Sequence, residues 1–167
     1  MRRTLVLTAT LVLAACSPAG AETARDFPRI QLSWDGGSGP ARLAEGDRRR
    51  GIGYRHIGLE QAPAAIWFHY PEPRRVRFHM QGVAFPVRAW WIDPSGCVLD
   101  WTDMVPGTAG HRPPAPVGAV LEVPLRFRER YPLEPGDCIR TGPVSSGALD
   151  QSHDEEEEHR PQGGADQ

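Results

Sequence analysis

The chain has 167 residues, with 19 basic and 21 acidic side chains, a formal net charge of −2 and 40% hydrophobic residues. Setting aside a leader-like start and a polar end leaves residues 17–140, enough for one domain with a real core. That stretch holds 16 arginines against 14 acids, whereas residues 141–167 hold one arginine against seven acids. A core so near neutrality excludes the basic footprint of a nucleic-acid-binding domain. Every basic residue is arginine and asparagine is absent, a composition bias to which no function is assigned.

Residues 1–15 read as an export signal. Arg2 and Arg3 are followed by an apolar run from Leu5 to Leu13, too short for a bilayer span of ~20 residues and shaped like a signal peptide. Leu13-Ala14-Ala15-Cys16 is similar to the lipobox of bacterial lipoproteins, which implies lipid on Cys16 and cleavage before it. The alternative is an ordinary signal peptide cut after Ala15 or Ala21. With lipid, the chain faces the periplasm from a membrane of the bacterial envelope. Ser17 after the cysteine favours the outer membrane over the inner. Residues 16–27 then serve as a tether.

Ile30, Leu32 and Trp34 alternate with polar residues, the period of a half-buried strand. Asp35 to Pro40 reads as a turn and Ala41 to Glu45 as a returning strand. Residues 46–58 read as a loop or one short helical turn. Ala64–Tyr70 and Arg75–Met80 are expected as paired strands about a tight connection at Pro71–Arg74. Ile66, Phe68 and Tyr70 then share a face with Val76, Phe78 and Met80. Trp67, His69, Arg77 and His79 take the other face.

Val87–Ile92 and Cys97–Met104 form the clearest hairpin, with Pro94 and Gly96 in the turn. Residues 105–116 form no regular element. Val117–Val123 is a strand, Leu125–Tyr131 a short helix or a strand, and Leu133–Arg140 closes the domain. From Thr141 the tail is expected to be disordered, with a like-charge run at Asp154–Glu158. The fold expected is all-β, a compact sandwich or barrel with short helical turns over residues 28–140.

Four blocks in this stretch resemble the family called domain of unknown function 192. They are Arg50-Gly51-Ile52-Gly53-Tyr54-Arg55; Phe78-His79-Met80-Gln81-Gly82 with Phe85-Pro86-Val87; Trp91 to Val98; and Val120-Leu121-Glu122-Val123 with Gly136-Asp137. The resemblance implies a compact β domain, often exported, without an assigned reaction. The chain departs from the pattern at Gly53, where the family has methionine, at Gln81-Gly82-Val83 and at Arg88. The hydrophobic framework is better kept than the polar positions.

Candidate chemistry is sparse. With Cys16 lipidated, Cys97 and Cys138 remain as a pair that an oxidising compartment could bridge; two separate thiols are the alternative. No catalytic constellation, metal site or cofactor is assigned, since no third ligand stands beside any histidine pair, including His153 and His159 about the acidic run. Trp90 and Trp91 point to opposite sides, so one can be core and the other exposed. An exposed one beside Arg88 would suit a cleft; a partly buried aromatic packed beneath residues 105–116 is the favoured reading. Arg55, His79, Met80, Glu122 and Asp137 form the candidate cleft. The favoured function is a non-enzymatic binding or interaction domain for an envelope protein or small ligand, held to a membrane by its lipid. The alternative is a periplasmic enzyme or metal-binding protein with Arg55, His79 and Glu122 converging.

Overall fold

The structure, a computed structural model, describes residues 21–144. The leader, Cys16, His153, His159 and the acidic run lie outside them.

Among the described residues, nine strands carry the fold, in keeping with the all-β expectation: β1 (Arg29–Trp34), β2 (Gly37–Ala44), β3 (Ile66–Arg74), β4 (Phe78–His79), β5 (Val87–Ile92), β6 (Val98–Met104), β7 (Ala109–His111), β8 (Val117–Pro124) and β9 (Arg140–Gly142). Seven form one sheet in the order β6-β5-β8-β3-β2-β1-β9, and β4 pairs with β7 in a separate ribbon. Among the described strands, only β2 and β3 run parallel. Such a pair needs a crossover, and the helix α1 (Gly46–Ile52) lies in it.

The two edges of the large sheet meet. Cys97 and Cys138 face each other as an isolated antiparallel bridge and are joined by a disulfide. The flanking amides of Val98 and Ile139 donate to the carbonyls of Asp137 and Gly96, each at 2.8 Å. The cysteines therefore occupy a non-hydrogen-bonded pair, the closest approach in an antiparallel ladder. The sheet is closed there into a barrel.

Closure explains two core clusters. Leu32, Trp34, Trp67, Trp90, Leu121 and Val123 point inward from four strands and fill the barrel. Alternate residues Ile66, Phe68, Tyr70, Trp91 and Val120 point outward and are covered by the Tyr54 segment, Met80, Phe85 and the β4 ribbon. Both tryptophans of β5 are thus 1% exposed, so neither offers an exposed face for a cleft. Trp90 Nε1 donates to the Leu133 carbonyl, and Trp91 Nε1 donates to Thr102 Oγ1.

Other local expectations also change. Gly37 to Pro40 belong to β2 rather than to a turn. A Cβ at Gly39 would stand 2.9 Å from Tyr131 Cε1, so the glycine marks a close approach of a ring to a strand. Pro71–Arg74 continue β3 instead of turning; the ladder with β8 shifts between His69 and Arg74, where proline is tolerated. Phe78–His79 pair with β7, inside the expected irregular stretch, not with β3. His69 and His79 are therefore not ladder neighbours. Ala24 and Phe27 are buried and Thr141 pairs with Leu32, so the fold reaches beyond both expected ends. Among the described residues, no helix is long and apolar enough to cross a membrane.

Candidate functional site

The outer core layer is hollow beside α1. A cavity of about 360 Å³ lies between the end of α1, β3, β8 and the segment 74–79. That is within the range of small-molecule sites, roughly 300–1,000 Å³.

Its floor is set by strand alternation. Val120 and Glu122 of β8 face the outer layer, between Ile66 of β3 and Ala89 of β5 at the register positions of Glu122. Glu122 is the one buried charged residue among those described, at 6% exposure. None of the side-chain hydrogen bonds or ion pairs among the described residues involves its carboxyl. Burial alone pushes that carboxyl up to about 8, so it is neutral at pH 7. Tyr54 crosses above, its hydroxyl 3.1 Å from the Pro63 carbonyl and 3.3 Å from that of Glu122. Phe68 and Tyr70 of β3 supply aromatic walls. Burial raises the Tyr70 phenol to about 12.

The mouth is cationic. Arg50, Arg55, Arg74, Arg75 and Arg77 line it. Arg50 is fixed by the His69 carbonyl at 2.9 Å and by Asp47 at 2.7 Å. Its guanidinium lies 5.1 Å from the Tyr70 ring centroid, and that of Arg74 lies 5.7 Å from it, within cation–π range. Arg55, Arg74, Arg75 and Arg77 make no ion pair among the described residues. Arg55 is set on the rim by two turns. His56 has φ +59° and Gly82 φ +77°, and the His56 amide donates to the Gly82 carbonyl at 2.9 Å. His79 Nδ1 accepts from the Gln81 amide at 3.3 Å, which leaves the neutral ring's proton on Nε2.

Of the candidate cleft, Arg55, His79 and Glu122 line this cavity. Met80 is 1% exposed in the outer core; it does not line the cavity. Asp137 does not join it. It sits in the turn beside the disulfide, its carboxylate accepting from the Glu134 amide and its carbonyl from Val98. Sequence reasoning missed Arg50, Arg74, Arg75 and Arg77 as a set, because only the parallel β2–α1–β3 crossover brings their segments together. The tryptophan cleft at Arg88 is absent. Arg88 makes two hydrogen bonds to Asp103, at 2.7 and 2.9 Å, and lies 3.8 Å from the Trp101 ring centroid.

Gly53 is the departure with a visible consequence. A Cβ there would touch the Phe68 ring at 3.4 Å, and φ of +47° is a conformation that side-chain-bearing residues rarely adopt, so glycine suits the position.

Fold and cavity together define a small closed-barrel domain with a ligand-sized hollow on its outer layer. The chain belongs to the family of domain of unknown function 192, described as an "Uncharacterized ACR", whose profile matches residues 39–141. No curated protein matches it. Among solved structures it is similar to a Sinorhizobium meliloti 1021 protein described as a candidate transcription regulator, at 21% identity over 69% of this chain and 95% of that one, with a TM-score of 0.61. It is also similar to a protein of unknown function from Novosphingobium aromaticivorans DSM 12444, at 18% identity over 67% and 83%, with a TM-score of 0.57. At these identities the likeness is one of fold.

Proposed function

We propose that this protein is a lipid-anchored protein of the bacterial envelope, facing the periplasm, whose barrel is a non-enzymatic binding domain for a small anionic ligand with an apolar part. The observation that carries it is the cavity: a five-arginine mouth, aromatic walls and a neutral floor. Arginine suits phosphate and carboxylate because its donors form a planar fork. No serine, threonine, cysteine or lysine lines the cavity, and burial holds both of its tyrosines protonated. The arginine mouth and apolar walls support binding as the favoured reading over the enzymatic alternative.

Hexyl phosphate is the probe for the site. Calorimetric titration at pH 7 is expected to show tighter binding of hexyl phosphate than of inorganic phosphate, since each buried methylene contributes ~0.8 kcal/mol. Arg75→Gln with Arg77→Gln should weaken it by roughly tenfold or more, at ~1.5–3 kcal/mol per charged hydrogen bond. Equal binding of both probes, or an unchanged double variant, contradicts the reading.

The anchor rests on the lipobox at Cys16 and is supported by the disulfide, which suits an oxidising compartment. The outer membrane is the proposed destination. Cys16→Ala is expected to abolish incorporation of an alkyne fatty acid in cells. Labelling that survives the substitution removes the anchor.

A further inference from the structure

We infer that the arginine face around the cavity mouth lies on the bilayer, and that its anionic ligand is the phosphate headgroup of a membrane lipid. This rests on the binding reading above and names the source of its ligand.

Three observations carry it. The first is where the tether meets the fold. Glu22 is held on α1 by Arg49 at 2.9 Å and by Arg48 at 3.4 Å. Asp47, Arg50 and Gly51 of the same helix line the cavity. Glu22 and the cavity mouth thus flank one helix, whose diameter with side chains is ~10–12 Å. Glu22 lies six positions after Cys16, a span of about 20 Å at full extension. A lipid on Cys16 would keep this face close to the membrane surface.

The second is the distribution of charge. Residues 22, 45–55 and 72–79 hold seven arginines against four acids, Glu22, Glu45, Asp47 and Glu72. The rest of residues 17–140 holds nine arginines against ten acids. The positive surplus of the domain is confined to the face that the tether reaches. Basic residues near an anionic bilayer each contribute about 1 kcal/mol, roughly a fivefold gain in binding.

The third is the shape of the site. The mouth is cationic, while the walls along Phe68, Tyr70 and Val83 are apolar. Free phosphate would use only the arginines. A lipid headgroup with the start of its glycerol and acyl region would use both.

The test uses the full mature chain from residue 16 carrying Cys16→Ser, so that no lipid of its own contributes. Binding to vesicles of phosphatidylcholine is compared with binding to vesicles containing about one-third phosphatidylglycerol. Preference for the anionic vesicles is expected, with a loss of about 100-fold in Arg74→Gln/Arg75→Gln/Arg77→Gln. No such loss is expected in the control Arg126→Gln/Arg128→Gln/Arg130→Gln. All six side chains are exposed, and matching thermal melts verify that the variants fold.

Equal binding to both vesicles, or equal losses in both variants, overturns the inference. So does anionic binding that appears only once residues 145–167 are deleted, which would make the acidic tail the occupant of the face. Retained hexyl phosphate binding without vesicle preference would sink the membrane inference and spare the cavity reading. Loss of both would remove the two together.

Discussion

Glu122→Gln is expected to remove a pH-dependent loss of stability that the native chain shows between about pH 4.5 and 8. The unfolded chain releases this proton near the ordinary glutamate value of 4.5, whereas the folded chain holds it to about 8. Between those values the native state binds the extra proton, so stability falls as pH rises through the window and levels above it. The span corresponds to several kcal/mol, on the order of 5 at ~1.4 kcal/mol per unit. Urea melts of both chains from pH 4 to pH 9 check it. The stability of the glutamine variant minus that of the native chain should climb through the window. A flat difference would mean that the carboxyl finds solvent or a partner.

The same proton bears on binding. An apolar ligand segment can approach the floor while Glu122 is neutral. Above about pH 8 its charge would be desolvated by that contact, a cost that opposes binding. Hexyl phosphate affinity should therefore decline through pH 8 in the native chain and less so in Glu122→Gln.

The second large effect is expected from the disulfide. Cys97 and Cys138 close a loop with a sequence separation of 41 and join the two edges of the sheet. The paired substitution Cys97→Ser/Cys138→Ser should cost ~2–4 kcal/mol, or about 8–16 °C in Tm for a domain of this size. Neither cysteine is buried, so the change opens no cavity and isolates the cross-link. Calorimetry of the oxidised chain, the reduced chain and the double variant separates the contributions. Equal melting of all three would show that the backbone bonds at 96–98 and 137–139 close the barrel unaided.

Local chemistry made part of this fold legible. The β5–β6 hairpin could be read from Pro94, Gly96 and apolar alternation because its contacts are near in sequence, and its register runs from Val87 opposite Met104 to Ile92 opposite Val98. The pairing of Arg75–Met80 with β3 could not be excluded locally, since both segments are apolar on alternate positions. The structure gives Phe78 and Met80 to the same outer core as Phe68 without any ladder between them. Trp90 and Trp91 are both buried because this sheet has a packed layer on each side, whereas alternation normally separates core from solvent. Among candidate site residues, Arg55, His79 and Glu122 were recognisable within the family blocks. Arg74 falls in an expected connection and Arg75 and Arg77 on an expected strand, and only the crossover through α1 gathers them with Glu122 in one cavity lining.

The central claim is that this cavity binds an anion through its arginine mouth. Nuclear magnetic resonance mapping of the isotope-labelled mature chain during titration with hexyl phosphate tests it most directly. Saturable shifts are expected at Arg50–Arg55, Arg74–His79, Val83 and Glu122, with residues 126–130 unaffected. Shifts spread over every exposed arginine, or none at Glu122 and Val83, would contradict it.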